Sequence, residues 1–136
     1  MYCINCNFYD GSKRSVIYLN LESDDWSEIE YATFFTTLEK AENALKQKKI
    51  NDKKEYEKEN KGKSYEKDSL YFSLRAKIKK IETRYFNTLK NRVIKEIEKD
   101  IIENLKKINE LNLSIKKYEN LIKRNKEDIK NPMHII

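Results

Sequence analysis

Cys3-Ile4-Asn5-Cys6 is a C-x-x-C pair, the spacing at which a turn offers two thiolates to zinc or to a redox disulfide. Zinc needs four ligands, and outside this pair the chain's single histidine, His134, lies at the far end. On a strand, residues three apart point to opposite faces, and a thioredoxin-type pair opens a helix after a strand. The two cysteines therefore read as structural thiols and His134 as a tail residue. Asp24, Asp25, Glu28 and Glu30 gather around Trp26. Carboxylates in such a group can hold a divalent metal for phosphodiester hydrolysis. As a solvated acidic loop, the same group can meet a basic partner or imitate nucleic-acid phosphate. Glu59-Asn60-Lys61 resembles the acid-x-lysine part of a nuclease motif, without a strand to aim it. Gly11 and Gly62 are the only glycines, so no phosphate-binding loop exists. No catalytic, cofactor-binding or metal-binding residue is assigned, no cofactor is expected, and the chain is read as a non-enzyme.

Three basic clusters are the other candidates for contact. Lys46, Lys48, Lys49, Lys53 and Lys54 form the first. Arg75, Lys77, Lys79, Lys80 and Arg84 form the second, and Lys123, Arg124, Lys126 and Lys130 the third. Clustered cations neutralise phosphates and release counterions. Interleaved glutamates, and a ratio of 24 Lys to 5 Arg, weaken base reading and bidentate phosphate grips, which favour Arg. The named partner-binding candidates are Asp24, Asp25, Trp26, Glu28 and Glu30 on the acidic side. On the basic side they are Lys48, Lys49, Lys53, Lys54, Arg75, Lys77, Lys80, Arg84, Lys123 and Arg124.

These groups sit on two parts of opposite charge. Residues 1–45 hold 3 Lys+Arg against 8 Asp+Glu, a net of −5; residues 46–136 hold 26 against 15, a net of +11. In the first part, Tyr2, Ile4, Cys6 and Phe8 alternate with smaller or polar residues, which predicts a half-buried strand. Asp10-Gly11 is a hairpin signal, and Arg14 to Leu19 reads as the returning strand. Residues 20–30 read as an acidic loop, and Thr33-Phe34-Phe35 as a short third strand. Thr36 with Glu39 makes a capping box for a helix whose stripe is Leu38, Ala41, Ala44 and Leu45. Beyond Lys46 apolar content collapses, and Asn60 to Ser64 reads as a turn. A long helix is expected from Tyr65 or Asp68 to Asn131-Pro132. Its apolar positions, Leu74 through Ile122, recur about every 3.7 residues, nearer a straight amphipathic helix than a heptad coiled coil. A bend is expected near Asn109–Ser114.

The segment Ala32-Thr33-Phe34-Phe35-Thr36-Thr37-Leu38-Glu39-Lys40-Ala41, preceded by Trp26, resembles a module in small proteins of bacteriophages and mobile elements. That module is a hairpin, a Trp, then A-T-x-F-x-T-x-E-x-A opening a helix. Non-catalytic proteins of that origin often disable host defence as anti-CRISPR proteins do, by covering an effector surface. This analogy lies at the level of class.

The predicted fold is α+β: a ββ(β)α head over 1–45, a charged helical extension and turn over 46–64, a long basic helical body over 65–131 of mostly antiparallel helices, and a tail over 132–136. The expected function is non-enzymatic binding of a macromolecule, as a phage or mobile-element inhibitor of a host nucleic-acid-guided defence complex. The alternatives are a direct nucleic-acid binder using the basic helices, and a coiled-coil scaffolding protein. Expected partners are a host protein or ribonucleoprotein, nucleic acid itself, or a second copy through the Ile/Leu/Val stripe. No apolar run spans a membrane and no signal peptide is visible, so a cytoplasmic location is expected.

Overall fold

A computed structural model describes residues 1–133. The fold is α+β, and the chain divides into two units, Met1–Asn91 and Arg92–Ile136. The first unit is built on a four-stranded antiparallel sheet. Its strands are β1 (Tyr2–Asp10), β2 (Lys13–Asn20), β3 (Asp25–Ser27) and β4 (Lys77–Lys80), in the order β3-β2-β1-β4. The helices are α1 (Leu38–Glu59), the single-turn α2 (Tyr65–Asp68) and α3 (Thr83–Lys130).

The hairpin forms as its residues predict. Asp10 pairs with Lys13, and Gly11 takes φ 64, a conformation glycine adopts without a Cβ penalty. Ile4 stands opposite Ile78, and Leu19 opposite Trp26. With Ala76, Ile4 and Leu19 make the buried cluster, against which Trp26, Phe35, Ala44, Leu45 and Ile78 pack. Consecutive residues Cys3 and Ile4 are both fully buried. Neighbours on a strand point to opposite faces, so β1 is covered on both sides.

Four expectations need correction. The third strand is Asp25–Ser27, not Thr33 to Phe35. The Asn20 side chain accepts from the amides of Glu22 (2.9 Å) and Ser23 (3.3 Å). That Asx-type turn reverses the chain early, and Phe35 makes only an isolated bridge to Tyr2. The helix cap is Thr37, whose Oγ1 accepts from the Lys40 amide at 3.3 Å. Because the backbone of Phe35 is still held by Tyr2, the helix starts one residue later than the Thr36–Glu39 box implies. The long helix begins at Thr83, not at Tyr65 or Asp68. Between them lie α2, a 3-10 turn at Phe72–Arg75 and β4. Lys77-Ile78-Lys79 has a period of two, which suits a strand with one buried face. Finally, α3 runs as one helix from Thr83 to Lys130, through Asn109–Ser114, so the chain does not fold back within it.

Aromatic residues join the segments of the first unit. Phe72 meets Phe8 and Trp26 at centroid distances of 5.6 and 6.0 Å, and Phe86 meets Phe34 at 5.0 Å. These contacts dock Phe72 onto the strands β1 and β3, and Phe86 onto the segment before α1.

Candidate functional site

The inward stripe of α1 explains the first basic cluster. Ala41, Ala44 and Leu45 face the sheet, and Lys48 and Asp52 fall at the next turns of the same face. Both are buried. The Lys48 ammonium lies 2.9 Å from Asp24 and 3.3 Å from Asp52. Burial alone would lower the Lys48 pKa, but hydrogen bonds and charge from the two carboxylates hold it above its ordinary value. Asp24 itself sits at φ 52, a left-handed conformation that Asp tolerates better than most residues. Lys48 and Asp24 thus lock the β2–β3 turn onto α1. Lys53 is held by Glu66 at 2.9 Å. Of the first cluster's partner candidates, Lys49 and Lys54 remain outside these pairs, with Lys49 half-buried and Lys54 exposed.

Trp26 is half-buried and packs into the core cluster. Asp25 and Glu28 are exposed, and the Asp25 carboxylate accepts from the Trp26 amide at 2.8 Å. Glu30 is half-buried in the 3-10 turn Ile29–Tyr31. The second basic cluster lies across the sheet. Arg75, Lys77, Lys79, Lys80 and Arg84 are all exposed, and none forms an ion pair among the described residues. Because β3 and β4 are the two edge strands, Asp25 on β3 and Lys77, Lys79 and Lys80 on β4 mark opposite edges of one sheet. Lys123 and Arg124 are exposed on α3 in the second unit.

Cys3 and Cys6 are free, buried thiols. Their positions on β1 set them on opposite faces. Burial pushes both up from the usual thiol value, against the pull of Lys79 on Cys3 and Arg75 on Cys6. A thiol in this state is a poor nucleophile at neutral pH. His134 lies outside the described residues.

One feature escapes sequence reasoning. A recess of about 590 Å³ is lined by Phe8, Tyr9, Leu70, Phe72 and Arg75, with Cys6 and Asn7. Leu70 and Tyr9 are largely exposed beside it. In the sequence Leu70 opens the short apolar run Leu70-Tyr71-Phe72, flanked by Asp68-Ser69 and Ser73. No helix among the described residues is long and apolar enough to cross a membrane. No family model, characterised protein or solved structure matches this chain.

Proposed function

We propose that the chain is a non-catalytic protein that binds a macromolecule through the charged edges of its sheet. The observation that carries this reading is the uneven distribution of exposed charge: Asp25 and Glu28 at the β3 edge, and five cations against one carboxylate, Glu82, from Arg75 to Arg84 at and beside the β4 edge. Edge strands expose unpaired backbone groups, and charge on them selects what pairs or docks there. Complementary potential governs partner choice and encounter rate more than it governs raw affinity. Following the resemblance to mobile-element proteins, the finer reading is an inhibitor of a host nucleic-acid-guided defence complex. In that role the acidic edge would stand where nucleic-acid phosphate normally lies, and the protein would act by occlusion.

A second reading is favoured by the exposed cations of the β4 edge: direct binding of nucleic acid. It requires an affinity that falls steeply with salt.

One experiment separates the two. The tagged protein is used to capture partners from host lysate, with and without nuclease, in three forms: wild type, D25K/E28K, and K77E/K80E/R84E. Asp24 is left alone because it anchors Lys48. A nuclease-resistant protein complex lost in D25K/E28K is the outcome expected of the inhibitor. Nucleic acid lost in K77E/K80E/R84E is the outcome expected of the second reading. Capture unchanged by either reversal would sink both.

A further inference from the structure

Within α3, the apolar residues are not merely amphipathic. Ile94, Ile101, Ile108, Ile115, Ile122 and Ile129 recur at strict seven-residue intervals. Ile97, Leu111 and Tyr118 fall three residues after the first, third and fourth of them. These are the a and d positions of a heptad. The mean spacing near 3.7 hides this register for two reasons. It counts Leu74, Ile78 and Ile81, which precede the helix, and it passes over Ile94. From Ile94 to Ile129, no a or d position carries a charge, in a chain that is 38% charged. Yet the apolar residues in these positions are 41 to 75% exposed. A helix rich in β-branched Ile gains little from intrinsic propensity and depends on packing of its apolar face.

We propose that residues 94–129 of α3 form a parallel, in-register, two-stranded coiled coil with a second copy of this chain. Three features select that occupant. First, the two remaining d positions are Asn104 and Asn125. Aligned in parallel, each faces its own copy and the amides can hydrogen-bond to one another, as polar layers do when they fix register. In the antiparallel registers of greatest overlap, Asn104 and Asn125 instead face isoleucines, in one of them Ile115 and Ile94, and are stranded against apolar side chains. Second, the flanking positions set no like charges against each other in parallel. Asp100 faces Leu105, Lys107 faces Asn112, Ser114 faces Glu119, and Leu121 faces Lys126. Third, the area suffices. At roughly 60–100 Å² buried per apolar a or d side chain, two copies would bury about 1,100–1,800 Å², the range of a stable specific interface. β-branched residues at a, without Ile throughout d, favour two strands over three or four.

The test uses the full chain. Light scattering after size exclusion at tens of micromolar should give twice the 16.4 kDa chain mass; a monomer, a trimer or a tetramer overturns the proposal. Orientation is read from N125C, oxidised under native conditions in which Cys3 and Cys6 are buried. In a parallel pair, opposed d positions come within disulfide reach, so N125C should cross-link to itself, and N104C should repeat the result at the other polar layer. Cross-linking of N125C to I94C in preference to itself, or loss of the dimer in both single-cysteine variants, also overturns it.

Discussion

At the scale of single residues, Lys48 is the clearest case of a side chain whose type announces one role and whose position gives it another. It belongs to a lysine-rich run, yet it is buried between Asp24 and Asp52. Truncating it would leave the Asp52 carboxylate, 11% exposed, without its cation. Lys48→Ala should therefore cost about 2–3 kcal/mol of unfolding free energy. Asp24→Asn, at a side chain 71% exposed, should cost less than about 1 kcal/mol, because water replaces the partner and Asn keeps the left-handed turn. The double variant K48M/D52L should recover most of the loss, since a buried ion pair is often no better than well-packed apolar side chains. Urea denaturation of the four proteins checks the order. The pH dependence has a definite sign. The folded-state pKa of Lys48 lies above the ordinary 10.5, so its contribution is complete below pH 10.5 and is lost as pH rises through the folded value. Buried Cys3 and Cys6 act in the same direction from about pH 9, because the unfolded thiols, with an ordinary value of 9.0, ionise before the folded ones. Stability should fall as pH rises past 9, and K48M/D52L should lack the component above 10.5. The alternative, stability that holds or rises through pH 11, would contradict this account. Sequence alone could have flagged Lys48, since it continues the stripe of Ala41, Ala44 and Leu45. It could not reveal Asp24, whose partnership is made across the fold.

At the scale of elements, the segment between α1 and β4 is fastened by tyrosines. Tyr56 near the end of α1 meets Tyr65 and Tyr71 at 6.3 and 5.9 Å, and those two meet each other at 6.0 Å. The Tyr65 hydroxyl and the Ser73 hydroxyl are 2.5 Å apart, in a buried site. Ser73→Ala should cost about 1–3 kcal/mol, because it strands the buried phenol. Tyr65→Phe should cost a comparable amount by stranding the serine. The double variant should cost clearly less than the sum of the two, and additive losses in a denaturation cycle would show that the contact contributes nothing of its own. What the sequence discloses of these elements follows from how local their causes are. The hairpin is legible because Asp10-Gly11 and strict alternation act over neighbouring residues. The turn at 60–64 is legible from Gly62, which takes φ 82. β4 is less so, because its alternation spans only Lys77 to Lys79 and the strand is made by pairing with β1 from the other end of the unit. The two charged edges were therefore visible as compositions, while their placement on one sheet was not.

At the scale of the whole molecule, self-association would change how the charged edges act. A dimer carries every edge twice, and two linked sites bind an extended partner with an avidity that can exceed the single-site affinity by ~10²-fold or more. This gives the heptad a consequence separable from its own test. I108N/I115N places polar side chains at the centre of the seam without changing net charge, and leaves untouched every residue of the first unit. The variant should run as a monomer while Trp26 fluorescence reports an unaltered core. On immobilised heparin, an anionic polymer long enough to engage two copies of the Arg75–Arg84 edge, wild type should elute at distinctly higher salt than I108N/I115N. Adding K77E/K80E/R84E to either form should remove most of the retention, because the contact is electrostatic and each phosphate-like neutralisation steepens the salt dependence. If the monomeric variant elutes with wild type, the edges act singly and the seam serves assembly alone. If retention survives the charge reversal, the cations of the β4 edge are not the surface that meets the polyanion, and the basic face of the second unit, with Lys123 and Arg124, becomes the surface to alter next.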